Sequence, residues 1–309
     1  MKIKKWKWLI AVAAVILMTA IPVYASDSLK DILGALSSAA GSTADTGKAA
    51  EEDGTYNLLI VGSDRRDGSW NGNSDSIILV TINHNVNKIF MVSFMRDLQA
   101  DIPGYGVHKI NYSYAGGGAQ KLIDTLTSNF GVRIDNYVAV DWEAMVDIVD
   151  AFGGVDLEIY DYEVNATNGM IDYYCGLHGL SSYEHYVSTG WQHLDGIAAL
   201  NYSRVRFVGN NDYERTERQR KVLTNLLENL DISDTDALLK LAQALLTEVD
   251  HDLTLSDLLT LTGEAAEIQN FELVTDRIPY DGLYSSNNGM LVPVQPDTNE
   301  RLQAEIYEK

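Results

Sequence analysis

Residues 56–66 read YNLLIVGSDRR. The run Tyr56–Val61 lies between turn residues and has the length and composition of a strand buried on both faces. A strand covered on both sides places the chain in the α/β class. The run ends in Gly62-Ser63-Asp64-Arg65-Arg66, and the loop at the end of a central strand is where α/β sheets commonly carry chemistry. A Gly/Asn-rich loop, Asp67–Ser74, follows. Asp75-Ser76 then opens a strand at Ile77–Ile82, a turn at Asn83–Asn87 leads to Ile89–Phe94, and the pair reads as a hairpin. The second hairpin strand ends in Arg96-Asp97. In antiparallel neighbours one strand starts beside its partner's end. Asp64, Asp75, Arg96 and Asp97 are therefore expected at one edge of the sheet.

Downstream, His108-Lys109-Ile110-Asn111 precedes a glycine-rich turn, Gly116–Gly118. No Gly-Lys-Ser/Thr follows that turn, so it is no P-loop. Residues 119–130 have helical spacing and stop at Gly131. Tyr137–Val140 reads as a strand, Trp142–Phe152 as a helix and Val155–Ile159 as a strand. Residues 160–190 read as an irregular insertion holding six of the seventeen tyrosines. Residues 236–249 and 255–268 read as leucine-rich amphipathic helices, Phe271–Ile278 as a closing strand, and 297–308 as a short polar helix. The expected fold is a mixed central β-sheet flanked by helices in three α/β/α layers.

The stretch Asn201–Leu226, NYSRVRFVGNNDYERTERQRKVLTNL, carries five of the eleven arginines of a chain whose formal net charge is −21. Arg204 and Arg206 are expected on a short strand, pointing to one face. Asp212 reads as a helix N-cap. In the helix after it, Arg215 and Gln219 share a side with Val222, Leu223 and Leu226, whereas Arg220 and Lys221 fall toward solvent. Singly, each arginine reads as a surface ion pair with acids such as Glu214 or Glu217. As a group they read as an anion site, because the planar guanidinium fork matches phosphate.

The 309 residues, 46% hydrophobic and 22% charged, suffice for a large core. The acidic balance argues against nucleic acid, which calls for a basic stripe. One cysteine, Cys175, excludes an intrachain disulfide. The six histidines are scattered without metal-ligand spacing, and no Gly-x-Ser-x-Gly elbow is present. Lys2, Lys4, Lys5 and Lys7 precede an uncharged run, Trp8–Ser26, which reads as an export signal with the lysines left in the cytoplasm. The run has the length of a single-pass anchor, and Val23-Tyr24-Ala25 offers small residues for cleavage and release. The expected organisation is a membrane segment over 1–26, a flexible linker over 27–54, and an extracellular catalytic domain over 55–309.

Paired carboxylates beside a ring of arginines form a phosphoryl-transfer arrangement. Carboxylates hold Mg²⁺ through few direct ligands and leave the rest to phosphate and water. The ordered motifs NLLIVGSDRR, NSDSIILVTI, SFMRD, HKIN, FGGVDLEI, WQHLDGIAALNYSRVRF and DYERTERQRKVL, with GMLVP near the end, closely resemble the LytR–CpsA–Psr family of Gram-positive bacteria. The resemblance covers roughly residues 55–280. It implies that fold, an N-terminal membrane anchor, and transfer of a teichoic acid or capsular glycopolymer from an undecaprenyl diphosphate carrier to peptidoglycan. It places the Mg²⁺ ligands (Mn²⁺ as the alternative) at Asp64 and Asp75, and diphosphate contacts at Arg96, Arg204, Arg206 and Arg215 with Gln219. Asp97 and Lys109 match a supporting pair. Arg65 or Arg66 fills the arginine of the first motif, and Arg218 has no assigned role. Two positions depart: Asn73 stands where the family usually has arginine, and Met95 where it usually has proline. Arg96, Asp97, Arg204 and Arg206 are the catalytic candidates, with Asp97 the candidate base. The alternatives are a polyprenyl-diphosphate diphosphatase and a non-enzymatic polyprenyl-phosphate-binding or regulatory protein.

Overall fold

The computed structural model describes residues 54–65, 71–206, 208, 212–229, 249–254, 257, 268 and 271–309. The expected membrane segment and nearly all of the linker, Arg66, and most of the two leucine-rich helices lie outside the described residues. Among the described residues no helix is long and apolar enough to cross a membrane.

In chain order the elements are β1 (Thr55–Ser63), β2 (Ser74–Asn83), β3 (Lys88–Phe94), β4 (Gln99–Ile102), β5 (Gly106–Lys109), α1 (Tyr112–Phe130), β6 (Asn136–Val140), α2 (Trp142–Ala151) and β7 (Val155–Ile159). They continue with α3 (Asp161–His178), β8 (Gly190–Leu194), α4 (Gly196–Arg204), α5 (Asp212–Asn229), β9 (Asp250–His251), β10 (Glu272–Ile278), β11 (Tyr284–Asn287), β12 (Met290–Pro293) and α6 (Asp297–Ile306). A six-stranded mixed sheet has the order β10-β3-β2-β1-β6-β9. β1 pairs antiparallel with β2 and parallel with β6. Alternation along β1 sends Leu59 and Val61 to one face, against Leu122, Leu126 and Phe130 of α1 and Leu302 and Ile306 of α6. Tyr56 and Leu58 go to the other, against Ala144 and Ile148 of α2, with Leu223 of α5 beside them. This is the expected mixed sheet with helices on both faces.

Polar bonds clasp the end of the sheet where β1 begins. Asn57 donates its peptide N–H to Asp135 at 2.7 Å, and Asn83 donates to the carbonyls of Ile306 and Glu308 at 3.0 and 2.9 Å. The chain's C-terminus is thus tied to β2, and the opposite end of β1 is left for the site.

Four expectations are corrected. Residues 160–190 are largely helical, because α3 spans Asp161–His178. Arg204 ends the helix α4 and Arg206 follows it, so the two do not share a strand face. Gly196–Arg204 is helical because Asp195 caps it by accepting the Ala198 N–H at 2.8 Å. Gly116–Gly118 lies inside α1, which begins at Tyr112 and bends where Gly117 and Gly118 leave helical geometry. Arg220 points to the sheet rather than to solvent and donates to Ser93 Oγ at 3.2 Å.

Arg218 acquires a structural place. It and Glu163 each have a side chain only 2% exposed, and they pair at 2.7 Å. The other oxygen of Glu163 accepts the Tyr160 N–H at 2.9 Å. Arg218 also donates to Glu214 at 2.8 Å and to the Val205 carbonyl at 3.2 Å. One guanidinium therefore ties α5, which carries Arg215, to the start of α3 and to the end of α4, which carries Arg204. Removing one partner of a buried pair strands the other charge, at a cost of about 3–5 kcal/mol. Arg218→Met is expected to lower unfolding stability by about that amount in urea denaturation. Arg218→Met with Glu163→Leu is expected to recover part of the loss; no recovery would show that the charge pair is not what the single variant breaks.

Candidate functional site

The parallel strands β1, β6, β3 and β10 all end at the same edge of the sheet, and antiparallel β2 begins there. At that edge the β1–β2 register slips between Gly62 and Ser63. Such a bulge re-aims the side chains beside it. Gly62 allows the close approach, since a Cβ there would lie 3.0 Å from that of Ser76.

Asp75, at the start of β2, gathers the cations. Its Oδ1 is 2.6 Å from Arg96 Nη1, just past the end of β3. Its Oδ2 is 3.8 Å from Arg215 Nη1 on α5. Its carbonyl accepts Arg215 Nη2 at 3.4 Å and Gln219 Nε2 at 3.5 Å. The inward phase read for Arg215 and Gln219 is the one observed, and Arg215 is only 3% exposed. Asp97, next to Arg96, pairs with Lys109 at 2.6 Å. Asp64 accepts the Asn73 N–H at 2.5 Å and donates its own N–H to the Asn73 carbonyl at 3.0 Å, which closes the loop between them.

The end of β6 contributes two residues that the sequence reading did not single out. Asp141 caps α2 through the Ala144 N–H at 3.0 Å and takes both Nε and Nη2 of Arg65, at 3.1 and 2.7 Å. That hydrogen bond holds the Arg65 guanidinium above its ordinary pKa. Trp142 lies under Arg204, whose guanidinium carbon is 3.4 Å from the ring centroid. Arg204 also donates to Asn201 Oδ1 at 2.9 Å. The available signal was an Asp-Trp pair between a strand and a helix, at the carboxyl end of a parallel strand. Close by, burial with help from Asp250 pushes the Tyr114 phenol up to about 12, so it stays protonated.

A cavity of about 160 Å³ opens from this cluster into the space between the sheet and the helices. Ile60, Ile78, Val138 and Val140 of the sheet line it, with Met145, Ile148 and Phe152 in and after α2 and Leu223 and Leu226 of α5. Asp75, Asp141, Arg204, Arg215 and Gln219 line its charged part. Arg96 reaches the cavity through Asp75, and Arg65 through Asp141. Arg206, two residues past α4, is not among the lining residues described. The result is an apolar chamber with guanidiniums at one end, in a strongly acidic chain.

Among the described residues no group of three or more His, Cys, Asp or Glu is placed to hold a metal. Asp64 and Asp75 are nonetheless hard oxygen donors, and Asp75 lines the charged part of the cavity. Mg²⁺ takes one or two carboxylates together with phosphate oxygens and water. The pair therefore fits a cation that arrives with a phosphorylated ligand.

The LytR_cpsA_psr family model matches residues 23–306. The chain belongs to this family. It is 30% identical over 258 residues to the polyisoprenyl-teichoic acid–peptidoglycan teichoic acid transferase TagU of Bacillus subtilis, covering 80% of this chain and 78% of the relative. It is 30% identical over 208 residues to TagU of Enterococcus faecalis, covering 66% of this chain and 63% of the relative. It is 31% identical over 188 residues to biofilm regulatory protein A of Streptococcus mutans, covering 57% of this chain and 44% of the relative. The match thus spans 63% and 44% of the length of these last two relatives. Two solved structures share the LytR_cpsA_psr fold. The structure of Bacillus subtilis TagT has a TM-score of 0.62 at 22% identity, over 86% of this chain and 92% of that one. A TagT structure with bound octaprenyl pyrophosphate lipid has a TM-score of 0.58 at 22% identity, over 86% of this chain and 93% of that one.

Arg215→Ala removes a buried guanidinium from the charged end. Hydrogen bonds to charged groups contribute about 1.5–3 kcal/mol, so the affinity for inorganic diphosphate is expected to fall about 10- to 100-fold in calorimetric titration. An unchanged affinity would take Arg215 out of the anion site.

Proposed function

We propose that the chain transfers a glycopolymer of the teichoic acid or capsular type from a polyprenyl diphosphate carrier to a sugar hydroxyl of peptidoglycan. The observation that carries this reading is the union of an apolar chamber with the guanidinium cluster at Asp75. A polyprenyl diphosphate has the same two-part chemistry, a hydrocarbon tail and a compact polyanion. The names of the TagU relatives and the lipid bound to TagT support the same reading. The N-terminal segment would hold the protein at the cell membrane with the catalytic part outside.

In this mechanism Arg96, Arg204, Arg215 and Gln219 grip the diphosphate oxygens, and Trp142 keeps the Arg204 guanidinium from turning away. Arg206 and Arg65 stand as further anion contacts. Asp64 and Asp75 would hold Mg²⁺ or Mn²⁺, which when bound supplies charge neutralisation on the diphosphate. The acceptor hydroxyl oxygen attacks the phosphorus that carries the glycan. A new oxygen–phosphorus bond forms as the bond from that phosphorus to the bridging oxygen breaks. The hydroxyl proton passes to a base, for which Asp97 is the candidate, held in place by Lys109. Polyprenyl monophosphate leaves with the bridging oxygen, and the arginines stabilise the charge that develops there.

The test is turnover of a synthetic prenyl-diphosphate-linked sugar by the full chain, with a peptidoglycan oligomer present, with and without Mg²⁺. Transfer to the oligomer that requires the cation is expected. Arg204→Ala is expected to reduce transfer by about 10²–10³-fold with an unchanged circular dichroism spectrum, the scale seen when one oxyanion donor is removed. Hydrolysis without transfer would replace the reading by a diphosphatase. Binding without turnover in any metal would replace it by a carrier-binding protein.

A further inference from the structure

In-line displacement sets the direction from which an acceptor must come. The attacking and leaving oxygens lie on opposite sides of the transferring phosphorus. This inference rests on the proposed transfer, in which the departing lipid belongs to the apolar chamber. That chamber is on the sheet face covered by α2 and α5. The acceptor then approaches from the side away from that chamber, and the nearest surface on that side belongs to the sheet's other face, where Leu98, Ala100, Ile110 and Leu122 pack α1 and the β4–β5 hairpin.

On that side, in the hairpin that carries Lys109 and at the start of α1, the protein shows aromatic rings to solvent. Tyr105 is 45% exposed and Tyr112 40%, with Val107 at 55% between them in sequence. The two tyrosine rings meet edge to face with centroids 5.7 Å apart, and His108 lies tilted against Tyr112 at 5.1 Å. Tyr105 is held by its own hydroxyl, which donates to the Gly116 carbonyl at 2.8 Å. A Cβ at Gly116 would lie 3.1 Å from the Tyr105 ring, so the glycine lets the ring lie on the backbone where α1 bends. The set is coupled to the site by backbone bonds. Asn111, next to Tyr112, donates its N–H to the Arg96 carbonyl at 3.3 Å and accepts the Ser74 N–H at 3.3 Å. Ser74 precedes Asp75 in sequence, and Arg96 pairs with the Asp75 carboxylate.

We infer that Tyr105, His108 and Tyr112 form the acceptor subsite, a platform on which a pyranose ring of the peptidoglycan glycan strand stacks. The C–H face of a pyranose is apolar and its rim polar, so it matches an exposed aromatic plane with hydroxyl and imidazole groups at its edge. A neutral amino-sugar strand also suits a surface outside the guanidinium cluster, which is reserved for the polyanion. The glycine bend in α1 thereby gains a use: it makes room for the ring that receives the sugar.

The experiment titrates the full chain with a soluble β-1,4-linked N-acetylglucosamine hexamer, followed by saturation-transfer NMR and calorimetry. Tyr105→Ala with Tyr112→Ala is expected to raise the Kd for the hexamer about ten-fold, the scale for truncating aromatic anchors. The same double variant is expected to keep the parent's affinity for inorganic diphosphate, and Tyr112→Phe to keep its affinity for the hexamer. Tyr183→Ala, at a ring 83% exposed in the turn after α3, serves as the control and is expected to change nothing. The inference is overturned if the parent does not bind the hexamer, if the double variant binds it as tightly as the parent, or if Tyr183→Ala costs as much. Because hexamer binding is read without turnover, a chain that binds it through Tyr105 and Tyr112 yet transfers nothing would count against the transferase and not against the platform.

Discussion

Asp75 lets a set of guanidiniums share one small space. Two like charges about 4 Å apart repel by about 4 kcal/mol at an effective dielectric near 20, and buried arginines cannot shed their charge. One Asp75 oxygen meets Arg96 at 2.6 Å, the other faces Arg215 at 3.8 Å, and the residue's carbonyl takes Arg215 and Gln219. The carboxylate holds the cations in place of the anion they are arranged to receive. Arg65 is held the same way, by Asp141. Each cation at the mouth is thus oriented before ligand arrives, which lowers the cost of ordering on binding.

The sheet explains why these residues meet. A parallel β1–β6 pair sends both carboxyl ends to one edge, and the antiparallel β2–β3 hairpin adds the start of one strand and the end of the other. Asp64, Asp75, Arg96 and Asp141 arrive from four separate strands by topology alone. Arg204 and Arg215 come from helices, whose positions a sheet does not fix. Arg218 supplies that link, because its buried pair with Glu163 and its bond to Val205 hold α5, α4 and α3 together. Arg204 and Arg215 then approach the strand ends from one side.

The parts legible in the sequence were those with a simple period. The β1 run, the β2–β3 hairpin and the inward side of α5 read directly from alternation or helical spacing, and the strand-end logic placed Asp64, Asp75, Arg96 and Asp97 at one edge. What escaped had polar residues on buried stripes. In α3 the inward row is Glu163, Thr167, Ile171 and Cys175, and its first two members disguise the apolar period. Glu163 is tolerated there only because Arg218, distant in sequence, neutralises it. Arg204 and Arg206 looked like strand alternation because two arginines two apart fit either reading, and the Asp195 cap decides for helix. Arg220 was read as solvent-facing from its wheel position; β3 approaches that side of α5 and takes its guanidinium, and burial lowers its pKa. Trp142 carries an apolar signature, and only the fold shows that a face of its buried ring stacks on Arg204.

In the proposed function the apolar chamber takes the hydrocarbon of a ligand whose diphosphate is held at Asp75. The most direct test of this is photo-crosslinking of the full chain with a prenyl diphosphate bearing a photoactivatable group at the far end of a short tail, followed by peptide mapping. Label is expected in α2 and the residue after it, at Met145, Ile148 or Phe152, and on α5 at Leu223 or Leu226, with competition by unlabelled prenyl diphosphate. Competed label on the α1 and β4–β5 side, with none in α2 or α5, would contradict it.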